Sequence, residues 1–131
     1  MTKNEIRHVR WVSISNQRTG EVIGSHVKVA RTFWQRFKGL MGTTTLAIGR
    51  GMLFPHTNSV HMFFMHYPLC VVYLTRDFVV LRRVVLKPWR IGPIIKGTYW
   101  ILELPEPVAK QIMETDTLIV TGMIDIDDEL N

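Results

Sequence analysis

The first thirty residues of the chain alternate between strand-forming apolar runs and a turn. Residues 9–14 (VRWVSI) and residues 21–30 are rich in β-branched and aromatic side chains, which are typical of strands. The segment NQRTG at residues 16–20 lies between them and consists of residues that favour turns. The pattern therefore predicts a β-hairpin here.

Short apolar runs separated by turn-forming residues recur along the rest of the chain. Residues 69–75 and 78–86 flank the turn residues Arg76 and Asp77, which predicts a second hairpin. The segment KPWRIGPIIKG at residues 87–97 contains two prolines and two glycines, so we expect an irregular loop. Four further apolar runs predict strands at residues 51–54, 58–65, 99–104 and 117–124.

Two segments carry helical patterns instead. Thr32 and Gln35 have the spacing of a capping box, and apolar residues then recur at helical spacing up to Gly42. Prolines at positions 105 and 107 are compatible with the first turn of a second helix. The chain is therefore expected to be mainly β, a compact antiparallel β-sandwich or barrel with two short helices at about 32–41 and 106–114.

Composition is that of an ordinary globular protein. The 131 residues are 47% hydrophobic and 21% charged, without repeats or low-complexity linkers, so we expect a single domain over residues 1–131. The only cysteine, Cys70, lies in an apolar strand and excludes an internal disulfide. Burial should raise the pKa of its thiol and make it unreactive. The polar N-terminus MTKNEIRHVR lacks a secretory core, and we expect a cytoplasmic location.

A stretch without charged residues runs between Arg50 and Arg76. It is long enough to cross a bilayer. Pro55, Pro68 and the histidines within it disfavour a transmembrane helix, because a helix in lipid must satisfy every polar group internally. We interpret the stretch as the core of the domain, and no membrane partner is expected.

Charge is distributed unevenly along the chain. Residues 1–50 carry nine basic and two acidic side chains, whereas residues 97–131 carry one basic and eight acidic side chains. The acidic end includes a tail at residues 125–131 that should be solvated. Either the basic part meets an anionic partner, such as nucleic acid or an acidic protein, or the acidic part folds against it. The second alternative is favoured.

The histidines and methionines of the charge-free stretch do not predict a metal site. His56, His61 and His66 are spaced five apart, and no cysteine pair or nearby carboxylate completes a zinc site. Met62 and Met65 are three apart and would face opposite sides of a strand, so we expect both to fill gaps in the core. No metal and no cofactor are expected.

Glu103 interrupts the apolar segment WILELP. In a strand it shares a face with Ile101 and lies opposite Trp100. Its carboxylate either points to water or enters a polar pocket, where it would need a partner such as Arg36 or His61. The residues alone slightly favour the solvent-facing alternative.

Four segments in order resemble the domain of unknown function family 192: VKVARTFWQRFKGLMG, GRGMLF, SVHMFFMHYPLCVVYL and WILELP. The resemblance covers roughly residues 27–118. It implies a compact β-rich domain without an established biochemical activity. Because Arg36, His61 and Glu103 all match the family's pattern, the resemblance favours a pocket-facing Glu103.

The chain departs from this family pattern in two places. The family's usual Asp after Pro-Leu is Cys70 here, and the usual glycine-rich segment after Leu-Glu-Leu-Pro is EPVAKQIMETD. A site that used either feature would be lost or altered in this chain.

The leading hypothesis is a domain that binds an unknown small ligand or a protein segment in a pocket, with the 87–97 loop as a cover. One alternative is an enzyme in which His61 and Glu103 act as acid and base and Arg36 binds an anion. Another is a basic surface that binds nucleic acid or acidic protein, and the oligomeric state stays open. The pocket would have polar groups from Arg36, His61 and Glu103 and apolar walls from Met52, Phe63 and Met65.

Overall fold

The computed structural model describes residues 3–6, 8–31, 40 and 43–123. The regular structure of the described chain consists of seven strands, a short N-terminal α-helix and one 3₁₀ helix. The predicted helix at 32–41, Arg36 within it, and the acidic tail lie outside the described residues. In chain order the elements are α1 (Lys3–Ile6), β1 (Trp11–Asn16), β2 (Val22–Val29), β3 (Arg50–Pro55), β4 (Leu69–Leu74), β5 (Val80–Leu86), β6 (Trp100–Pro105), the 3₁₀ helix (Glu106–Gln111) and β7 (Leu118–Met123).

The mainly β class is confirmed, and so are both hairpins. β1 pairs with β2 and β4 pairs with β5, each antiparallel. The strand predicted at residues 58–65 is wrong, because that segment forms only an isolated bridge between His61 and Ile91. A left-handed backbone at Phe64, with φ of 63°, interrupts the extended conformation that a strand requires. The helix predicted at 106–114 is a shorter 3₁₀ helix.

All seven strands belong to one mixed sheet in the order β5-β4-β6-β3-β2-β1-β7. β2 and β3 are parallel and every other pair is antiparallel. Parallel neighbours need a long crossover connection, and residues 30–49 provide it. The predicted mainly β architecture with antiparallel pairing thus holds for every neighbouring pair except β2 and β3, in one mixed sheet that is not closed.

The sheet curves so that both edge strands contribute to one core. The ladder is not closed, yet an isolated bridge joins Val79 to Thr117, just before β5 and β7 begin. The Leu118 amide donates to the Phe78 carbonyl at 2.9 Å beside it. The concave face encloses an inner core that draws on all seven strands: Val12, Ile14, Ile23, Val27, Val29, Leu53, Cys70, Val72, Leu74, Val80, Trp100, Leu102, Leu104, Leu118 and Val120.

The outer face of the central strands is buried as well. Every residue of β4 and β6 is buried, which explains why both strands are nearly continuous apolar runs rather than alternating ones. The loops between the strands supply the covering side chains. This second cluster, the outer layer, consists of Ala30, Met52, Phe54, Met62, Met65, Leu69, Val71, Tyr73, Leu86 and Ile101, with Leu40, Leu46, Val60, Tyr67, Leu81, Val84 and Ile95 packed against it.

Candidate functional site

Glu103 lies in the middle of the sheet, on the face covered by the outer layer. In β6 it alternates with Leu102 and Leu104, which point into the inner core. Met52 of β3 and Val71 of β4 are its direct cross-strand partners on either side. Because directly opposite residues share a face and have Cβ atoms about 5 Å apart, the three side chains form a row across the sheet.

The Glu103 side chain is buried and has no polar partner among the described residues. Only 6% of the residue is exposed, and among the described residues no hydrogen bond or ion pair reaches its carboxyl group. An isolated charge is costly to bury, so the group favours its neutral form. Burial raises the pKa of Glu103 to about 8. At neutral pH the group is therefore mainly a protonated acid that can donate a hydrogen bond.

Tyr67 interacts electrostatically with Glu103. Burial raises the pKa of Tyr67, the hydrogen bond with Thr43 lowers it, and the charge of Glu103 raises it further, which places the two side chains within electrostatic reach. The Tyr67 hydroxyl lies 2.6 Å from Thr43 Oγ1, and Thr43 donates its own proton to the Leu40 carbonyl at 2.6 Å. Tyr67 must then be the donor to Thr43, and its oxygen keeps free acceptor capacity.

A second partnerless polar group occupies the same face. Tyr73 is two residues from Val71 along β4, which makes it a diagonal neighbour of Glu103 across the strand pair. Its hydroxyl is buried and has no hydrogen-bond partner in the described structure. Burial raises the pKa of Tyr73 to about 12. A Cβ added to Gly92 would lie 2.6 Å from this hydroxyl oxygen, so glycine allows the 87–97 loop to close over it.

The three residues predicted to form the apolar walls of the pocket lie in two different places. Met52 and Met65 belong to the outer layer, and Met52 is a direct cross-strand neighbour of Glu103. Met62 also belongs to the outer layer, although strand alternation predicted that it and Met65 would point in opposite directions. That argument was wrong because residues 58–65 are not a strand. Phe63 is instead a surface residue whose ring packs against His61 and Trp89.

His61 and Glu103 have separate surroundings. The ring centroid of His61 is 5.0 Å from that of Phe63, and His61 Nδ1 accepts a hydrogen bond from the Phe63 amide at 3.3 Å. No hydrogen bond or ion pair joins His61 to Glu103 within the described part of the chain. A joint role for Arg36, His61 and Glu103 stays a prediction.

Cys70 has the buried, unreactive state that the sequence predicts. It is fully buried in the inner core, and burial raises the pKa of its thiol to about 12. Position 70 therefore lies on the opposite face of the sheet from Glu103. The replacement of the family's usual Asp by Cys70 leaves the Glu103 face unchanged.

Among the described residues, no three His, Cys, Asp or Glu side chains are grouped so that they could hold a metal ion. None of the helices in the described part of the chain is long and apolar enough to span a membrane.

The fold and the buried acid define a small β-domain with a polar group enclosed in an apolar layer, and comparisons place it among known proteins. The family model DUF192, "Uncharacterized ACR", matches residues 14–119. The chain belongs to this family. A UPF0127 protein of Thermococcus sibiricus is 35% identical over 96 residues, which cover 69% of this chain and 61% of the relative. The chain thus spans about three fifths of the length of that relative.

Solved structures share the fold. A protein of unknown function from Novosphingobium aromaticivorans superimposes with a TM-score of 0.68 at 24% identity, covering 85% of this chain and 84% of its own. A Sinorhizobium meliloti protein, described as a candidate transcription regulator, gives a TM-score of 0.63 at 21% identity, covering 86% and 94%. At these identities the likeness shows the fold alone.

Proposed function

We propose that this domain binds a small, largely apolar molecule over the row formed by Met52, Glu103 and Val71. The observation that carries the proposal is the Glu103 carboxyl group, which is buried on a covered sheet face and has no partner among the described residues. Buried polar groups in native proteins are almost always paired, and exceptions concentrate at functional sites. A ligand would supply the missing partner.

The chemistry of the row suggests the kind of ligand. A neutral carboxyl group donates one hydrogen bond, and the Tyr67 oxygen can accept one. The methionines of the outer layer offer adaptable apolar contact. A neutral molecule with an N–H-bearing amide group on an apolar body satisfies both requirements, and a ketone satisfies the first. Arg36 and His61 are proposed as further contacts, and the 87–97 loop as the segment that opens to admit the ligand.

The test is a fragment screen with neutral amides and ketones, followed by NMR amide shifts. Bound fragments should perturb the amides of Met52, Glu103 and Val71, and their affinity should fall as pH rises through about 8, because an ionised carboxylate cannot donate. Glu103→Gln keeps a neutral donor, so it should bind with an affinity that no longer depends on pH. Glu103→Leu should abolish binding.

The exposed Glu106 provides the matched control. Glu106→Gln should bind like the wild type at every pH. Fragments that bind Glu103→Leu as tightly as the wild type would show that the row is not the site. A screen without a single ligand near β3, β4 or β6 would contradict pocket binding as a whole.

A further inference from the structure

A strip of exposed rings lies on the outer surface of two segments that cover the outer layer. Two segments build it, residues 61–64 and residues 89–91. The Met62 amide donates to the Arg90 carbonyl at 2.7 Å, and the Trp89 amide donates to the Met62 carbonyl at 2.7 Å. These bonds and the bridge from His61 to Ile91 hold the two segments together. We call the side chains of His61, Phe63, Phe64, Trp89 and Ile91 the aromatic strip.

The rings form a continuous row. The centroid of Phe63 is 5.0 Å from that of His61 and 6.1 Å from that of Trp89, and the Phe64 centroid is 4.9 Å from Trp89. Phe64 and Trp89 are 55% and 59% exposed. Surface aromatic residues are ordinary one at a time, but a connected group of this kind marks an interaction site.

Two residues of the strip have an unfavourable left-handed backbone conformation. Phe64 has a φ of 63° and Trp89 a φ of 65°. Bulky side chains rarely adopt this left-handed conformation, because the Cβ atom crowds the following carbonyl oxygen. Strain at two neighbouring exposed aromatic residues is a feature of functional surfaces.

Positive charge surrounds the strip. From residue 22 to residue 102 the chain contains eleven Lys and Arg side chains and one acidic residue before Glu103, which is Asp77. Lys87 and Arg90 flank Trp89 in sequence, and Lys96 lies in the same loop. All three are exposed, and none forms a salt bridge with a described residue. The strip therefore suits a partner that is both aromatic and anionic.

We infer that the aromatic strip binds single-stranded nucleic acid. Unpaired bases would stack on Trp89, Phe64 and Phe63, while Lys87, Arg90 and Lys96 contact phosphates, the combination that single-strand binding surfaces use. A duplex hides the faces of its bases and could use only the cations. An acidic peptide would use the charges but would leave three rings without partners of their own kind.

The experiment measures fluorescence anisotropy of a labelled twenty-residue oligothymidylate and of the matching oligouridylate. We expect binding at low salt, with log K falling against log salt at a slope of about −2, since three phosphate contacts each contribute about 0.7 on a single strand. Trp89→Asn removes the ring and tolerates the left-handed backbone. It should weaken binding by about 5-fold to 150-fold.

Matched variants separate stacking from charge. Lys87→Gln combined with Arg90→Gln and Lys96→Gln should bring the salt slope close to zero. The exposed Met113 and Lys110 lie outside the strip, so Met113→Ala and Lys110→Gln should bind like the wild type. Glu103→Leu should also leave oligonucleotide binding unchanged, which keeps this test independent of the pocket.

Four outcomes would overturn the inference. Unchanged affinity in Trp89→Asn, with circular dichroism showing a folded protein, would exclude base stacking. Equal affinity for duplex and single strand would reduce the interaction to nonspecific charge. Binding to vesicles of phosphatidylglycerol but not to either oligonucleotide would assign the strip to a membrane surface. Binding to polyglutamate alone would assign it to an acidic protein.

Discussion

Glu103 shows how far the surroundings of one residue determine its chemistry. A glutamate on the solvent face of an antiparallel strand stays ionised and has no special role. Here the outer layer covers that face, and no described residue forms a hydrogen bond or ion pair with the carboxyl group. Loss of hydration, rather than an opposing charge, produces the raised pKa, and it keeps the group protonated at neutral pH.

This raised pKa predicts an unusual dependence of stability on pH. The folded protein retains a proton up to about pH 8, whereas the unfolded chain releases it near 4.5. The free energy of unfolding should therefore decrease as pH rises from about 4.5 to about 8 and should be independent of this group outside that range, with a total effect of at most about 5 kcal/mol. Urea denaturation of the wild type and Glu103→Gln across this range measures it.

The two curves should differ in slope. Glu103→Gln cannot titrate, so it should lose this decrease and be more stable than the wild type at pH 8. Glu106→Gln should follow the wild type. Parallel curves for the wild type and Glu103→Gln would mean that the carboxyl group finds a partner in the folded protein.

At the scale of elements, a group of hydrogen bonds around Asp116 connects the β1–β2 turn to the segment before β7. We call this group, formed by Asn16, Arg18, Met113 and Asp116, the polar clasp. Asp116 accepts hydrogen bonds from Asn16 Nδ2 at 2.8 Å, from Arg18 Nε at 2.7 Å and from the Met113 amide at 2.8 Å. Asn16 also donates to the Gln111 carbonyl at 2.9 Å. The clasp connects residues a hundred positions apart, close to the point where the two edge strands meet.

The clasp should weaken in acid. The Arg18 hydrogen bond, followed by those from Asn16 and Met113, lowers the pKa of Asp116 to about 2, although burial opposes the shift. Its contribution is therefore complete above the ordinary value of 3.8 and is lost as pH falls towards 2. Asp116→Asn should cost about 1–3 kcal/mol at pH 6, measured by chemical denaturation.

The difference between Asp116→Asn and the wild type should shrink as pH falls through about 2 and disappear below it, where both side chains are neutral. Asp77→Asn is a control because Asp77 is exposed in the β4–β5 turn. A constant difference at every pH would show that packing, and not the charge of Asp116, holds the clasp.

On the scale of the whole molecule, the pairing of β3 with β6 joins two halves of the sheet. β5, β4 and β6 lie on one side of this junction and β3, β2, β1 and β7 on the other. Gly51 lies at the junction, where an added Cβ would be 2.5 Å from the Glu103 carbonyl oxygen and 2.9 Å from Leu104 Cδ2. The strands can come together there because position 51 has no side chain.

Gly51→Ala should therefore destabilise the whole domain. The methyl group meets backbone that cannot move without separating β3 from β6, and we expect a loss of about 2 kcal/mol or more. Thermal denaturation measures it. Gly24→Ala in β2 is the comparison, because its Cβ would meet only side-chain atoms, Val27 Cγ2 at 2.6 Å and Leu104 Cδ2 at 3.4 Å. An equal or smaller loss at Gly51 would contradict a rigid junction.

Local pattern was enough for some features and not for others. Both hairpins were predictable, because strand propensity and turn residues act within a few positions. The conformation of residues 58–65 was not predictable, because the apolar residues of this segment pack into the outer layer from a loop rather than from a strand. The environments of the Tyr67 and Tyr73 hydroxyl groups were not predictable for a similar reason. A tyrosine within an apolar run is ordinary, and only its surroundings show whether its hydroxyl has a partner.

The sequence by itself determined the mainly β class, the strands that form hairpins, and the alternation of Glu103 with Leu102 and Leu104. These properties depend on neighbours in the chain and on the two-residue period of a strand. Only the tertiary structure decided that both faces of β6 are buried, that His61 belongs to the aromatic strip, and that Glu103 lies on a covered face. Those outcomes depend on which distant loops cover each face, and no local pattern encodes that choice.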